Sequence, residues 1–477
     1  MYTNLRFLLL FFFIACFSAS NGQTPWSLQQ CIDRADAYNI QIKLSELSTE
    51  NSKVTVDQNV ASLFPSLNAS ASQNYFFGRS IDPYTNTFTT QQVRNNSFSL
   101  SSSVSLFEGF QLQNNLKQSR LSYLSAQNDL KKVKNDISLN VVTYYLQVLY
   151  NQELLDITNH QVAVSDTQRY RMKRMYELGA ASKGNYLELE SQYAQEQVRF
   201  VQAKAQVDQS VLSLTQLLEL DTVKDFTIVR PDVIVPTFNA QLVNVDAVYN
   251  IALTTQPEIK SSEYKVYSSE KGLASARGGR SPRLFVSGSL STNYSTSSQE
   301  IIGYDVLPPS SRFSGYTSSG DSVFSLIPNS TPLVSKTPFS DQFSNNLGKS
   351  VGITLQLPLI NGWAVHSNIK RAKINVEQSK LNLEQSKKTL YKSVQQAVAD
   401  AMASYNKYDA GQRSVDALQE TFKYNKQRFA EGLINAYDYL LAKNNFDKAQ
   451  ADLIQAKYDY IFRLKILDFY QGKPLSF

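Results

Sequence analysis

The chain has 477 residues, of which 42% are hydrophobic and 18% are charged, and its formal net charge is +6. The mean hydropathy of -0.31 and the lack of a mature stretch of about 20 consecutive apolar residues exclude a bundle of membrane-spanning helices. The 27 Tyr and 26 Phe exclude a disordered chain, and because Lys and Arg are spread along the sequence rather than gathered into a patch, we expect no nucleic-acid partner.

The chain begins with a segment typical of an export signal. Arg6 precedes an apolar run over 7–17, which is too short to span a bilayer and fits the core of a signal peptide. Small residues at Ser20 and Gly22 predict a signal peptide over 1–22 with cleavage before Gln23. Lipidation of Cys16 is the alternative, because the residues before it partly match a lipobox. Both interpretations predict an exported protein.

The mature sequence is a tandem repeat. Residues near 28–72 match residues near 245–289 at an offset of about 217, and farther along the chain the offset becomes about 253. The change of offset places about 36 additional residues within 295–346, where Ser and Pro are frequent and a long loop is predicted. Pro residues also mark an extended connector between the halves. The predicted parts are a first repeat at 23–220, a linker at 221–244 and a second repeat at 245–477.

Four segments alternate between apolar and small polar residues, two in each repeat. Strands of about ten residues that are apolar on one face and rich in Ser on the other are typical of a membrane barrel with a water-filled lumen. The alternative is a half-buried sheet whose apolar face packs on protein. The predicted strands are about 66–77, 97–107, 283–294 and 347–359.

Four strands cannot close a barrel in lipid by themselves. Membrane barrels begin at about eight strands, and an open strand edge is not tolerated in the hydrocarbon region. If these strands enter a membrane, several chains must share one barrel, as a dimer with about eight strands or a trimer with about twelve.

Two long helices follow the strands in each repeat. They are predicted over about 111–177, 183–217, 366–430 and 436–470, within which Pro is absent and Gly is rare. Leu116, Tyr123 and Leu130 begin a seven-residue apolar period, which predicts coiled-coil packing. The longer helices would span roughly 100 Å. Such helices alone would also fit an exported periplasmic coiled-coil scaffold protein, which is the alternative function.

Motifs of an enzyme or of a metal site are missing from the sequence. Two Cys and two His are too few for a structural zinc site, and Cys31, His160 and His366 are far apart. No phosphate-binding loop, dinucleotide-binding glycine motif, zinc-protease motif or nucleophile elbow occurs. We therefore expect no catalytic activity, no cofactor and no bound metal.

Short motifs recur in the same order in both repeats. They are Ala35-x-x-x-Asn39-Ile40-x-Ile42 and Ala252-x-x-x-Gln256-Pro257-x-Ile259, Pro65-x-Leu67 and Pro282-x-Leu284, the strand-to-helix turns at Gly109 and Gly362, and helix-turn-helix tips at 178–182 and 431–440. On these motifs the chain resembles the TolC family of bacterial outer-membrane efflux proteins, over essentially the whole mature sequence.

The resemblance implies an α+β membrane protein with a defined assembly. Three chains would contribute four strands each to a shared twelve-stranded outer-membrane β-barrel, and the coiled-coil helices would form an α-barrel in the periplasm. The resemblance therefore favours a homotrimer over a dimer. It also implies a passive exit duct of a tripartite efflux or type I secretion system, with a periplasmic adaptor, an inner-membrane pump and outer-membrane lipid as partners.

The resemblance further implies roles for residues at the two tips. The adaptor-docking hairpins would contain Gly179 and Ser182, and Gly432 and Asn435. Asp438 occupies the position of an aspartate that faces the lumen and narrows the pore in the best-known members. The alternative is a helix-start residue that interacts favourably with the helix dipole. Leu441 and Ile434 stand where those members have a second acid and a basic partner, so a gate with two acidic rings is not implied.

Overall fold

A computed structural model describes residues 25–81, 86–89, 92–221, 226–231, 235–237 and 244–475. The predicted signal peptide and parts of the predicted linker at 221–244 lie outside the described residues. The described chain falls into two compact units. The first comprises the described parts of Met1–Val54, Arg120–Ser269 and Asn375–Phe477, and the second comprises those of Thr55–Ser119 and Glu270–Ile374.

The second unit contains a four-stranded antiparallel sheet to which each repeat contributes two strands. Its order is β1–β4–β5–β8, so the two repeats meet at the pairing of β4 with β5. The strands are β1 Ser66–Phe76, β4 Val93–Phe107, β5 Arg283–Ser295 and β8 Gly348–Gln356. A minor pair, β2 Ser80–Ile81 and β3 Phe88–Thr89, lies between β1 and β4 in the chain.

One face of this sheet is lined by paired serines, because successive side chains of a strand point to opposite faces. Hydroxyl oxygens lie 2.8 Å apart between Ser70 and Ser99, and 2.7 Å apart between Ser289 and Ser350. The other face carries the apolar residues of the alternation, such as Leu100, which pairs with Leu290. The sheet therefore has one polar and one apolar surface.

The segment 295–346, predicted to be a long loop, instead contains regular structure. It includes a two-stranded ribbon of β6 Gln299–Tyr316 and β7 Ser322–Lys336, followed by the short helix α7 Phe339–Asn345. The prediction was wrong because it excluded a helix and a central strand at the prolines and did not consider edge strands. Both strands of a two-stranded ribbon are edge strands, where proline is tolerated, and Pro308 and Pro309 fall at an interruption of the register.

Two short helices precede the strands in each repeat. They are α1 Leu28–Tyr38 and α2 Ile40–Ala61 in the first repeat, and α5 Val245–Thr255 and α6 Pro257–Gly278 in the second. The breaks occur at Asn39 and Gln256, which have extended backbones. The Asn39 side chain donates to the carbonyl of Leu217 at 3.2 Å, and Gln256 donates to that of Phe469 at 3.3 Å. The repeated motif thus satisfies carbonyl groups at the ends of the long helices that follow.

The remaining elements are four long helices of matched length. They are α3 Gln111–Glu177 and α8 Ala364–Ala430, with 67 residues each, and α4 Lys183–Leu217 and α9 Ala436–Tyr470, with 35 residues each. Among the helices that the structure describes, none combines the length and the apolar composition that crossing a bilayer would require.

The first unit contains the two larger clusters of buried apolar residues in the described part of the chain. The first includes Cys31, Val141, Tyr145 and Leu214, and the second includes Ala252, Leu390, Val394 and Leu467. The Tyr145 hydroxyl donates to the carbonyl of Val229 at 2.7 Å, so this buried ring also fixes the segment after the long helices of the first repeat. Burial raises the pKa of the Cys31 thiol to about 12, which makes this cysteine an inert core residue.

Candidate functional site

The first helix-turn-helix tip joins α3 to α4 through a tight, well-capped turn. Gly179 has a φ of 75°, a left-handed conformation that glycine adopts without steric cost. Its N–H donates to the Tyr176 carbonyl at 3.0 Å, and the next N–H, from Ala180, donates to the Met175 carbonyl at 2.8 Å. This pair of bonds is a Schellman motif. The Ser182 hydroxyl then accepts the N–H of Asn185 at 3.2 Å and caps α4.

The second tip, between α8 and α9, repeats the same arrangement. Gly432 has a φ of 76°, and its N–H donates to the Phe429 carbonyl at 3.1 Å. The following N–H, from Leu433, donates to Arg428 at 2.9 Å. Asn435 caps α9, because its side-chain oxygen accepts the N–H of Asp438 at 2.8 Å. Asn435 therefore caps α9 in the same way that Ser182 caps α4, although the residue types differ.

A small apolar cluster brings the two tips together. Met172 of α3, Leu189 of α4 and Tyr439 of α9 are buried in it, and Ala181 and Ile434 from the two turns pack against it. The Tyr439 ring stacks on Phe429 with 4.7 Å between centroids. The two hairpins thus end side by side, and one surface presents both turns.

Asp438 lies in the first turn of α9, and its side chain is exposed. Leu441, one turn later, is also exposed, whereas Ile434 is partly buried in the tip cluster. The start of α9 therefore presents one exposed carboxylate, followed one turn later by an exposed apolar residue. The placement is compatible both with a pore-facing residue and with a residue that only complements the N-terminus of a helix.

The two predicted strand-to-helix turns share a backbone conformation but differ in their surroundings. Gly109 and Gly362 have φ angles of 60° and 58°, and the next residues, Phe110 and Trp363, are also left-handed. A Cβ atom on Gly109 would collide with the carbonyl oxygen of Gly278 and lie 2.5 Å from Cβ of Ser281. A Cβ atom on Gly362 would meet no described atom within 4 Å. Only the first turn therefore requires glycine for space as well as for conformation.

A buried group of charged residues between α4 and α9 was not predicted from the sequence. Lys443 Nζ lies 2.8 Å from Glu196 Oε1 and 2.5 Å from Asp447 Oδ2, and all three side chains are buried. Gln192 donates to Glu196 Oε1 at 2.6 Å and to Asn444 Oδ1 at 3.0 Å. The spacing of these residues could have indicated their burial. Lys443 and Asp447 follow the buried Tyr439 at successive intervals of four residues, which places all three on one helix face.

Burial shifts the titration of this group away from ordinary values. Desolvation raises the pKa of Asp447, although the adjacent Lys443 ammonium lowers it. Desolvation also raises the pKa of Tyr439 to about 12, and the charge of Asp447 adds to this effect. Tyr439 therefore remains neutral at physiological pH.

The described residues contain no group of three or more His, Cys, Asp or Glu side chains arranged to hold a metal ion. The buried carboxylates of Glu196 and Asp447 are instead bridged by a lysine.

Comparisons with known proteins agree with this architecture. The family profile described as outer membrane efflux protein matches residues 31–219 and 248–472. The fold is similar to that of CusC, for which a crystallographic study describes transmembrane channel formation, with a TM-score of 0.73 and 16% identity over 94% of this chain and 92% of CusC. The chain has no significant match among curated protein sequences.

Two further solved structures have the same fold. A membrane protein from Pseudomonas aeruginosa gives a TM-score of 0.74 at 16% identity, covering 94% of this chain and 91% of that protein. The CmeC outer membrane channel of Campylobacter jejuni gives 0.73 at 17% identity, covering 94% and 87%.

These matches confirm the resemblance to the TolC family and the predicted α+β fold class with its tandem repeat, barrel strands and tunnel helices. The family and the similar structures are channels rather than enzymes. Channels of this family are homotrimers that work with adaptor and inner-membrane pump components. The chain therefore belongs to the outer membrane efflux protein family, and it is an outer-membrane protein whose helical part lies in the periplasm.

Proposed function

We propose that this protein is the passive exit duct of a tripartite efflux or type I secretion system. The observation that carries the proposal is a four-stranded sheet with one serine-lined and one apolar face, whose outer strands β1 and β8 pair with no further strand of the described chain. Such a sheet cannot stay open in lipid. It must be completed by strands from other copies.

A homotrimer completes the barrel with about twelve strands, the number that the resemblance to the family implies. In this assembly β1 of one chain pairs with β8 of the next, the serines line the lumen, and the apolar residues face lipid. The long helix pairs form the continuation of the duct in the periplasm. The chain performs no catalysis, and transport is driven by the inner-membrane pump.

The two tips form the docking surface for the periplasmic adaptor. Support comes from their side-by-side packing, their matched capping, and the exposure of apolar residues in both turns. Leu178 is 83% exposed and Leu433 is 63% exposed. Exposed leucines flanked by rigid, capped helix ends are suited to insertion into a pocket on a partner protein. In this proposal Gly179, Ser182, Gly432 and Asn435 hold the shape of the surface, and Asp438 lines the pore beside it.

The proposal is tested by the mass, location and conductance of the mature protein. After extraction in mild detergent, we expect a trimer that comes only from the outer-membrane fraction and that produces discrete ion conductance in planar bilayers. A monomer or dimer that is soluble without detergent, with no conductance, would instead support the periplasmic coiled-coil scaffold.

A further inference from the structure

The apolar face of the sheet contains a cleft that the duct function does not use. The cleft has a volume of about 450 Å³, within the range of roughly 300–1,000 Å³ found for small-molecule sites. Its floor is formed by small residues of β1, Ala69 and Ala71, beside larger residues of β4 and β5 such as Leu100 and Leu290. Phe343 and Leu347 contribute to its lining. The small alanines leave a trough where the neighbouring strands carry bulky side chains.

The helix α7 is fixed firmly on this face. Gln342 is buried, its side-chain oxygen accepts the N–H of Ser295 at 2.9 Å, and its side-chain nitrogen donates to the Ser295 carbonyl at 3.0 Å. The Thr292 hydroxyl donates to the Phe343 carbonyl at 2.7 Å. The ring of Phe98 meets Phe343 edge-on, with 5.7 Å between centroids. The cleft wall is therefore preorganised rather than a chance gap under a loose loop.

Cationic and aromatic residues lie at the end of the sheet where α7 packs. Lys349 is the second residue of β8 and pairs with Leu290, so its side chain shares the face that holds the cleft. The Arg94 guanidinium lies 5.5 Å from the Tyr294 ring centroid, and that ring packs against Phe339 of α7. Aromatic residues and long cationic side chains mark the level where hydrocarbon meets lipid headgroups.

We propose that this cleft binds one acyl chain of a phosphorylated outer-membrane lipid, with Lys349 beside the phosphate. We infer a lipid as the occupant because the cleft opens on the apolar face of a sheet in an outer-membrane protein, where it is continuous with the surrounding lipid. A lysine that faces hydrocarbon is costly unless its ammonium reaches a headgroup. The inference goes beyond the proposed duct and requires only that the apolar face contacts the membrane.

The test measures lipid binding by native mass spectrometry. Delipidated protein in detergent is titrated with lipid A, a bisphosphorylated glycolipid. We expect one lipid A per chain for the wild type, and at least tenfold weaker binding for Ala71→Phe, which fills the trough. Lys349→Gln is a surface change with little risk to folding, and it should weaken binding several-fold. The matched control is Val104→Phe, because Val104 lies on the same face in the inner strand β4, away from the subunit seam and outside the cleft.

Equal binding by wild type, Ala71→Phe and Lys349→Gln would overturn the proposal. An equal loss in the Val104→Phe control would also overturn it, because it would indicate a non-specific lipid annulus. Conductance is recorded from the same preparations. If the variants conduct normally and bind lipid A as well as the wild type does, the lipid site is excluded and the duct is unaffected. If the wild type itself does not conduct, the result counts against the duct.

Discussion

Lys443 places a single ammonium group between the buried carboxylates of Glu196 and Asp447. Replacing it with Met leaves two buried carboxylates without their counterion, so we expect Lys443→Met to destabilise the protein by about 3–5 kcal/mol. The loss is measured as a lower melting temperature by circular dichroism in detergent. The control is Lys448→Met, at an exposed position of the same helix, which should change stability by less than about 0.5 kcal/mol. An equal loss in both variants would contradict the role assigned to the buried cation.

Asp447 gives a pH-dependent prediction with a definite sign. Because burial raises its pKa above the ordinary 3.8, the folded protein binds this proton more readily than the unfolded chain. The stability contributed by the group is fully present below the ordinary value and is lost as the pH rises through the raised one. Asp447→Asn removes the free-energy cost of ionising a buried carboxyl group. It also keeps a side-chain oxygen that can accept a hydrogen bond from Lys443.

We therefore expect Asp447→Asn to melt at or above the wild-type temperature at pH 7, with the difference shrinking on acidification toward the ordinary pKa of the carboxyl. Melting curves at several pH values provide the measurement. A loss at pH 7 as large as that of Lys443→Met would show that the ionised carboxylate is needed for folding.

For Asp438, the proposed pore position predicts an electrical phenotype. In a trimer three such carboxylates would form a ring at the periplasmic mouth and would bind multivalent cations. Asp438→Ala should lower the selectivity of the pore for cations and raise the half-blocking concentration of a trivalent cation at least about tenfold, which corresponds to about 1.4 kcal/mol. Glu431→Ala, at an exposed acid of the same tip, serves as the control. Unchanged block in Asp438→Ala would leave only the helix-dipole role.

These residues differ in how visible they are in the sequence. Asp438 was proposed as a pore residue because it follows a glycine turn at a spacing that the family shares. Lys443 and Asp447 were missed because charged residues in a long helix usually face water. Only their spacing of four and eight residues from Tyr439, whose aromatic ring belongs to the core, could have placed them on the buried face.

Among the elements, the turns at Gly109 and Gly362 offer a matched comparison. Both need a left-handed backbone, which costs an L-residue roughly 1–2 kcal/mol, but only Gly109 is closed in by Gly278 and Ser281. We expect Gly109→Ala to cost at least about 3 kcal/mol and Gly362→Ala about 1 kcal/mol. Thermal stability of the purified proteins distinguishes the two. Equal losses would mean that the close approach relaxes without cost.

The accuracy of the predicted elements follows from the strength of their local signals. The sequence placed helices at 111–177, 183–217 and 436–470, and the structure has helices with these bounds, because glycine turns and Ser or Asn caps delimit long proline-free runs. The ribbon within 295–346 was not predicted, because both of its strands are edge strands, and edge strands tolerate the prolines that indicated a loop. The break at Asn39 was also missed, since it is fixed by a hydrogen bond to Leu217 far along the chain.

At the scale of the whole molecule, the proposed docking of the adaptor predicts a separation between transport and conduction. Charges introduced at the exposed leucines, as in Leu178→Glu and Leu433→Glu, would have to be buried in the interface and should reduce adaptor affinity at least about tenfold. Conductance of the purified trimer should not change. Leu187→Glu, at an exposed position beyond the first tip, is the control. Binding is measured with the purified cognate adaptor, and wild-type affinity in both tip variants would exclude the tips as the docking surface.

The pairing of β4 with β5 has a consequence for how the protein folds. Ser66 meets Ser103 across a short stretch of chain, so the hairpin of β1 and β4 is a local structure. Asn95, in contrast, must find Ser295, and the two long helices of the first repeat lie between them in the chain. Because the entropic cost of loop closure is met before distant contacts form, helix formation should precede completion of the sheet. The protein would then form its rigid periplasmic helices first. Its sheet would be able to enter the outer membrane only after the second repeat has also reached the periplasm.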